Sequence, residues 1–290
     1  MRLDLYLVQN YPEASRATWQ KLIKRGDVTI NGSVVIEPKL SVNETDDVKV
    51  KEVGQTAAKI DLPVLYEDEN VVVINKPAGI LTHSKGALND EFTVADFIKS
   101  RTPLQGRSLQ RESNRFGIVH RLDRATSGVI IGAKNLETLN KLQRQFSDRK
   151  VKKTYLAIVE RTPKELQARI DLPIARNPKY PSQFRVDPKG KSAVTDYKVK
   201  ETFVDGSALI ELKPLTGRTH QLRAHMAHIG APIVGDAVYG LKNEIGRMFL
   251  YAAELEVTIP GKDNKAESQR KTFRADLPPD FTEWKEAHEL

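Results

Sequence analysis

One stretch, residues 118–134, constrains this chain more than any other, because charged and turn-forming residues lead directly into a short apolar run. The run at 129–133 predicts a buried strand, and the Thr-Ser-Gly at 126–128 is typical of a turn. Asp123 therefore lies where the chain enters the core. Its positive neighbours favour the ionised form of a carboxylate: His120, Arg121 and Arg124. Such a residue either forms a structural ion pair or serves as a reactive carboxylate.

Composition narrows the class of protein. Among 290 residues, 46 Lys and Arg outnumber 38 Asp and Glu, and the net charge of +8 favours a polyanionic partner such as RNA. Cysteine is absent, so disulfides, thiolate zinc sites and a cysteine nucleophile are excluded. The charged N-terminus lacks the apolar run of a signal peptide, and no segment approaches the ~20 apolar residues needed to cross a bilayer. We therefore expect a soluble, cytoplasmic protein.

The first 54 residues predict a small helix-and-hairpin domain. Ser15 is a suitable N-cap for a helix that Gly26 ends, and Asn31-Gly32 is a tight hairpin signal. Apolar residues recur at helical spacing in both predicted helices: Leu3, Leu7, Val8, Trp19, Leu22 and Ile23. The second helix carries four cations with no acidic residue between them: Arg16, Lys21, Lys24 and Arg25. These cations are either RNA contacts or the solvated face of a helix.

A polar linker, residues 55–61, separates this domain from a larger one at 62–290, and the mixture of helices and strands predicts an α+β fold. Strands are predicted on both sides of a turn at 67–70, and then at 154–159, 193–199, 208–212 and 248–259. Helices are predicted at 92–100, at 136–146 with Asn135 as N-cap, and at 281–288. An arginine-rich loop before Asp123 is either solvated surface or a set of phosphate contacts: Arg101, Arg107, Arg111 and Arg115.

A further helix is predicted to begin near Thr219, and Arg223 falls at the border of its apolar stripe. A half-buried guanidinium needs an anion, and Asp123 is the partner that we expect. The alternative is an arginine that reaches solvent from the helix edge. Three histidines on this segment point in divergent directions and lack a nearby carboxylate or cysteine cluster, so a zinc site is not expected: His220, His225 and His228.

Four blocks of sequence resemble, in the same order, those of the RluA-type pseudouridine synthases, which isomerise uridine to pseudouridine in structured RNA. The blocks are NKPAGILTH (75–83), HRLDRATSG (120–128), KKTYLAIV (152–159) and TGRTHQLRAHMAHIGAPIVGDAVYG (216–240). The start of the chain resembles the alpha-L RNA-binding domain through RLD (2–4), SR (15–16) and GDVTING (26–32). This resemblance implies an N-terminal RNA-binding domain before a catalytic domain with a mixed, mainly antiparallel sheet and a central active-site cleft.

The resemblance also implies which residues act. It makes Asp123 the indispensable catalytic residue, supported by Tyr155, which packs on the flipped uracil, and by Arg223. It assigns substrate binding to His120, Arg121, Arg218 and Leu250. The N-terminal contacts to RNA would come from Arg16, Lys21, Lys24 and Arg25. The isomerisation requires no metal and no cofactor, and we expect a monomer that acts on structured RNA, in particular ribosomal RNA of the large subunit.

Two positions depart from the family pattern. Ser84 replaces the usual proline after the first block, and Tyr251 stands where a histidine is common, so substrate preference stays open. An RNA-binding protein without catalysis is one alternative, which the joint presence of Asp123, Tyr155 and Arg223 disfavours. A phosphotransferase is another, because HRLD resembles a kinase loop, but a glycine-rich phosphate loop and a DFG motif are missing.

Overall fold

The computed structural model describes residues 1–12, 14–51, 60–84, 91–103, 115–241, 246–261 and 267–289. Its N-terminal region contains α1 (Leu3–Asn10), α2 (Arg16–Arg25), β1 (Val28–Ile30), β2 (Ser33–Val35) and β3 (Val48–Val50). The three strands form an antiparallel sheet in the order β2-β1-β3. The predicted linker at 55–61 lies largely outside the described residues.

Local signals determine the second helix and the hairpin, as predicted. Ser15 Oγ accepts a hydrogen bond from the Thr18 N–H at 3.3 Å, and Gly26 ends α2 with a φ of 82°. Asn31 and Gly32 both have positive φ, which a two-residue type I′ turn requires. The core of this region contains the predicted apolar residues except Val8, which is exposed because the 100° rotation per residue carries it away from the buried face.

The larger region begins with β4 (Val64–Glu67), β5 (Val71–Lys76), β6 (Ser127–Ala133), β7 (Lys152–Val159) and β8 (Gln167–Asp171). A short hairpin follows, formed by β9 (Ile174–Arg176) and β10 (Phe184–Val186). The remaining strands are β11 (Val194–Thr202), β12 (Ala208–Pro214), β13 (Leu250–Ile259) and β14 (Gln269–Arg274). Apart from the hairpin, these strands form one sheet in the order β4-β5-β6-β13-β7-β12-β11-β8, and β14 pairs with β13.

Strand β13 joins the two halves of this sheet. It pairs in parallel with β6 and antiparallel with β7, whereas the other pairs in the described part of the sheet are antiparallel. The expectation of a mixed, mainly antiparallel sheet is therefore confirmed. The parallel pair also makes β6 begin at Ser127, because Ser127 and Gly128 pair with β13 instead of forming the predicted turn. Gly128 is required there, since a Cβ on it would lie 2.2 Å from the Ala252 carbonyl oxygen.

Within the described residues, four helices accompany the sheet: α3 (Val94–Ser100), α4 (Leu136–Ser147), α5 (Gln221–His228) and α6 (Pro279–His288). Thr93 and Asp96 form a capping box, so α3 begins two residues later than predicted. Asn135 caps α4 as predicted, because its side chain accepts a hydrogen bond from the Thr138 N–H at 2.9 Å. Helix α5 begins after His220, whose left-handed backbone with φ of 55° ends the preceding loop.

Apolar clusters pack on both sides of the joining strand. One cluster packs β7, β11 and β12 against α5, and a second packs β5 and β6 against α3. Tyr155 contacts both clusters, so it lies at the boundary between the two halves of the sheet. Within the described ranges, none of the helices has the length and apolar character that a membrane span needs.

Candidate active site

A cleft of about 500 Å³ opens where four segments meet: the loop before β6, the first half of β7, the start of β13 and the loop leading into α5. Every residue predicted for catalysis or substrate binding in the larger domain lines this cleft: His120, Arg121, Asp123, Tyr155, Arg218, Arg223 and Leu250. Asp123 is the sole carboxylate among the described residues that line it. The structure thus brings together side chains from distant parts of the sequence.

The loop that carries Asp123 is fixed by hydrogen bonds on both sides. Thr82 Oγ1 donates to the Leu122 carbonyl at 2.7 Å, and the Leu122 N–H returns a bond to the same hydroxyl at 3.2 Å. The Thr126 N–H donates to the Asp123 carbonyl at 3.1 Å. With its backbone held in this way, the Asp123 side chain is 17% exposed and directed toward Arg223.

Arg223 holds two carboxylates at once. Its Nη1 lies 3.2 Å from Asp123 Oδ2, which is the contact predicted from the sequence. Its Nε and Nη2 bind Asp236 in a bidentate pair, with both distances 2.7 Å. Burial alone would lower the pKa of Arg223, but the hydrogen bonds and negative charges of Asp236 and Asp123 raise it. The guanidinium therefore stays charged and presents one N–H group to Asp123.

Asp236 is the residue that sequence reasoning missed. It is fully buried, and besides Arg223 it accepts the backbone N–H groups of Val238 and Tyr239 at 2.9 and 3.2 Å. The sequence predicted a half-buried Arg223 at the border of the apolar stripe of its helix, with Asp123 as its partner. In the structure Arg223 is only 6% exposed, and Asp236 is closer to it than Asp123 is. Asp236 lies in a loop without periodicity, so the only sequence signal was its place in the fourth block.

Lys76 fixes the bend at the end of β5. Its ammonium group is fully buried and donates to the carbonyl oxygens of Pro77, Ile80 and Arg124, at 2.9, 2.9 and 3.3 Å. Burial lowers the pKa of Lys76 to about 7, and the negative charge of Asp123 opposes this shift. The lysine thus ties the β5 bend to the loop of Asp123 from beneath.

Tyr155 and Leu250 form the apolar part of the cleft. Leu250 is buried at the start of β13, and Tyr155 pairs across the strands with Ala252. Burial raises the pKa of Tyr155 well above its usual value, and the negative charge of Asp123 raises it further. The phenol therefore keeps its proton and presents a flat, neutral face to the cleft.

His120 lies at the back of the cleft, where it supports the loop. Its Nε2 accepts the Ile131 N–H at 3.1 Å, and its ring stacks on Phe146 with the ring centres 4.6 Å apart. Burial lowers the pKa of His120 to about 3, and the nearby charge of Lys153 lowers it further, so the ring is neutral. One ring nitrogen of this predicted substrate-binding residue is thus already occupied by the backbone of β6.

Three histidines follow one another along the α5 segment, and each has different surroundings. His220 Nδ1 lies 3.0 Å from the Tyr239 hydroxyl, and its Nε2 lies 3.8 Å from Asp123 Oδ2. His225 contacts Thr195 Oγ1 and the Leu172 carbonyl at 3.0 and 2.9 Å, while His228 is exposed. Across the described ranges no group of three or more His, Asp or Glu side chains is arranged to hold a metal ion.

Residues 70–228 match the family model described as RNA pseudouridylate synthase, which covers more than half of the chain. The chain belongs to this family. Residues 1–48 match the S4 domain model, as the predicted N-terminal RNA-binding domain requires. The predicted RluA-type resemblance and the predicted enzyme class, an isomerase that forms pseudouridine in RNA, are therefore confirmed.

Relatives of the synthase agree with these matches. The chain is 39% identical to a ribosomal large subunit pseudouridine synthase D from Xylella fastidiosa, covering 82% of this chain and 71% of the relative. It is 38% identical to the protein of the same name from Borreliella burgdorferi, covering 97% and 87%. Among solved structures, Human RNA Pseudouridylate Synthase Domain Containing 4 is similar, with a TM-score of 0.59 and 26% identity over 79% of this chain and 94% of that one.

In the S4 region of the synthase, two of the four predicted RNA-binding cations have internal partners. Arg16 Nε binds Asp4 Oδ2 at 3.0 Å, and Arg25 forms an ion pair with Asp27. Lys21 and Lys24 are exposed and form no ion pair within the part of the chain that is described. Sequence reasoning missed these pairs because both carboxylates lie outside the helix that carries the cations.

Proposed function

We propose that this synthase isomerises specific uridines of large-subunit ribosomal RNA and that Asp123 is the residue that starts the reaction. The observation that supports this role is the position of Asp123: it is the one carboxylate of the described cleft lining, and a permanently charged Arg223 lies 3.2 Å away. The ribosomal substrate is supported by the Xylella and Borreliella relatives, both named for the large ribosomal subunit.

The reaction rearranges bonds within one nucleotide. The bond between uracil N1 and the sugar carbon breaks, the base turns, and its C5 bonds to the same carbon, while C5 loses a proton and N1 gains one. A hydrolase would use two carboxylates with a water molecule between them. Here a single carboxylate acts on the sugar, either by adding to it or by removing a proton from it, and the uracil stays in the cleft until it is recaptured.

The surroundings of Asp123 suit a base that has left its stack. Flipping a nucleotide costs a few kcal/mol, which contacts to the extruded base must offset. We assign this role to Tyr155 and Leu250, because the flat phenol and the apolar side chain both line the cleft. Arg223 holds Asp123 in place through its Nη1, since Asp236 prevents the guanidinium from turning away.

The remaining assignments concern binding. Arg121 and Arg218 are exposed at the cleft, where their charges suit phosphate groups, and His120 supports the loop between them and Asp123. Lys21 and Lys24 of α2 supply the N-terminal contacts, with Arg16 and Arg25 shared between RNA and their carboxylate partners. We further propose that the synthase acts as a monomer in the cytoplasm.

The test is a map of pseudouridines in ribosomal RNA from a strain that lacks this gene. We expect one or a few uridines of the large-subunit RNA to remain unmodified. Wild-type protein supplied in trans should restore them, whereas Asp123→Asn should not. A complete pseudouridine pattern in the deletion strain would contradict the ribosomal assignment, and restoration by Asp123→Asn would contradict the assignment of the catalytic residue.

A further inference from the structure

Another cation at the cleft, Lys153, lacks a carboxylate partner among the described residues. It is half-buried on β7, and its ammonium group donates one hydrogen bond, to the Thr216 carbonyl at 3.3 Å. Within the described residues no carboxylate forms an ion pair with it. An ammonium group has three donors, so two of them remain available to the cleft. Burial lowers the pKa of Lys153 to about 8, which reflects the cost of holding this charge away from water.

The neighbouring lysine shows what a structural cation on this strand looks like. Lys152 points to the opposite face of β7, as alternate residues of a strand do, and binds Glu256 at 3.1 Å while remaining 74% exposed. Lys153 differs from Lys152 in both respects: it is half-buried, and it has no carboxylate partner among the described residues. A shielded and unpaired cation is unfavourable in the free protein, and a bound anion would remove that cost.

The cleft around Lys153 suits phosphate as that anion. Arg121, Arg149 and Arg218 line the same cleft and are exposed, and none of them pairs with a carboxylate within the ranges described. Gly217 lies beside the ammonium group, since a Cβ built on this glycine would be 4.0 Å from Lys153 Nζ. The groups that gather in this part of the cleft are therefore hydrogen-bond donors, and phosphate oxygens are acceptors only.

The position of Lys153 along β7 identifies which phosphate it can reach. Lys153 and Tyr155 lie on the same face of the strand, about 6.7 Å apart along its axis. A base that rests on Tyr155 therefore places the sugar and a phosphate of its own nucleotide near Lys153. We propose that Lys153 binds a backbone phosphate flanking the target uridine, an inference that rests on the proposed function.

The experiment compares full-length wild type with Lys153→Met, Lys153→Arg and the matched control Lys152→Met. The substrate is a stem-loop RNA that carries the uridine mapped in the deletion strain, with tritium at C5 of that uridine. Dissociation constants are measured over a range of salt concentrations, and the single-turnover rate is followed by tritium release. Each measurement is repeated with a neutral methylphosphonate in place of the phosphate on either side of the target.

We expect Lys153→Met to weaken binding about tenfold and to lower the slope of log K against log salt by about 0.7 to 0.9. Lys153→Arg should keep most of the affinity, and Lys152→Met should change neither affinity nor slope. In the Lys152→Met control the rate of the bound complex should stay at the wild-type value, and in the two Lys153 variants it should fall by less than the affinity does. At one of the two positions the methylphosphonate should weaken RNA binding by the wild type about tenfold. The same methylphosphonate should not weaken binding by Lys153→Met any further, because the variant has already lost the contact to that phosphate.

Two results would overturn the inference. In the first, the effects of Lys153→Met and of the methylphosphonate multiply at both positions, so that the two groups act independently. In the second, Lys153→Met lowers the single-turnover rate at unchanged affinity, which would place the ammonium group on the leaving uracil. If instead wild type releases no tritium from the mapped RNA, the proposed function itself fails, and the inference fails with it.

Discussion

Two buried carboxylates, Asp4 in the S4 region and Asp236 beside the cleft, bind arginines, but Arg16 at Asp4 and Arg223 at Asp236 have different free donors. Asp4 accepts hydrogen bonds from Arg2, Arg16 and Gln20, so the Nε of Arg16 is directed into its own domain. Asp236 binds Arg223 through Nε and Nη2 only, which leaves Nη1 for Asp123. The same kind of pair stabilises a fold in one region and positions the proposed catalytic carboxylate, Asp123, in the other.

This difference shows why a count of positive charges does not locate a binding surface. Helix α2 is basic in sequence, yet two of its four cations are bound by carboxylates from outside the helix. The cations of the cleft come from separate parts of the sequence. Four of them have no carboxylate partner in the described part of the chain: Arg121, Arg149, Lys153 and Arg218. Unpaired cations are available to a ligand, whereas paired ones must first exchange a partner.

The largest effect is expected for Asp123→Asn, which keeps the shape of the site and removes its reactive charge. Turnover should fall by about 10⁴-fold or more, because the reaction loses the group that acts on the sugar. Tritium release from the mapped RNA measures it, and thermal unfolding and RNA affinity serve as controls that should be nearly unchanged. Activity within about tenfold of wild type, which is only ~1.4 kcal/mol of barrier, would contradict the role.

The second prediction compares the two arginines directly. Arg223→Ala should lower the free energy of unfolding by about 3 to 5 kcal/mol, because Asp236 would be left as a buried charge without its partner. Arg16→Ala should cost about 1 kcal/mol, because Asp4 keeps Arg2 and Gln20 as donors. Denaturant unfolding of both variants is the measurement.

A double variant separates stability from activity at the cleft. In Arg223→Met with Asp236→Asn the buried charges disappear together, so much of the stability should return while turnover stays low. If Arg223→Ala and Arg16→Ala proved equally destabilising, the distinction between the two pairs would be wrong.

The third prediction separates paired from unpaired cations on α2. Replacing both Lys21 and Lys24 by alanine should lower the slope of log K against log salt by about 0.7 to 0.9 for each of these lysines that binds an RNA phosphate. Arg16→Ala should change the slope less, because its guanidinium is already bound to Asp4. RNA affinity measured at several salt concentrations decides the matter, and an unchanged slope in the lysine variant would show that α2 is only a solvated face.

The smallest effect is expected for the contribution of Asp4 to folding stability at low pH. Burial alone would raise the pKa of Asp4, but hydrogen bonds from Gln20, Arg2 and Arg16 lower it to about 2. Since the folded-state pKa lies below the unfolded value near 3.9, this stabilisation is complete above about pH 4 and is lost as the pH falls through about 2. Unfolding measured between pH 5 and 2 should show a steeper loss for wild type than for Asp4→Asn, and identical slopes would contradict the assignment.

Much of the fold could be predicted because its signals are local. Ser15, Gly26 and Asn135 act through hydrogen bonds or backbone angles within one turn of the chain, so their effect is independent of distant residues. The pairing of Arg223 with Asp123 was accessible through helical geometry together with the family blocks. The roles of the cleft residues stay predictions until the variants are measured.

The partners supplied by loops could not be predicted. Asp236 meets Arg223 and Asp4 meets Arg16 only after the chain has folded back on itself, and neither carboxylate belongs to a periodic pattern. The sequence gives no signal for the parallel pairing of β6 with β13 either. An apolar run indicates that a strand is buried, but it does not indicate which strand lies next to it. Long-range partners are set by the packing of the whole domain.

The joining strand β13 has a consequence for the order of events when the protein is made. Loop closure becomes costlier in chain entropy as the loop lengthens, and Asp123 and Arg223 are 100 residues apart, with β13 later still. During synthesis, which runs from the N-terminus, the S4 region emerges complete long before the strand that joins the two half-sheets. A nascent chain can therefore fold its S4 region early, while the cleft is assembled only after β13 has left the ribosome.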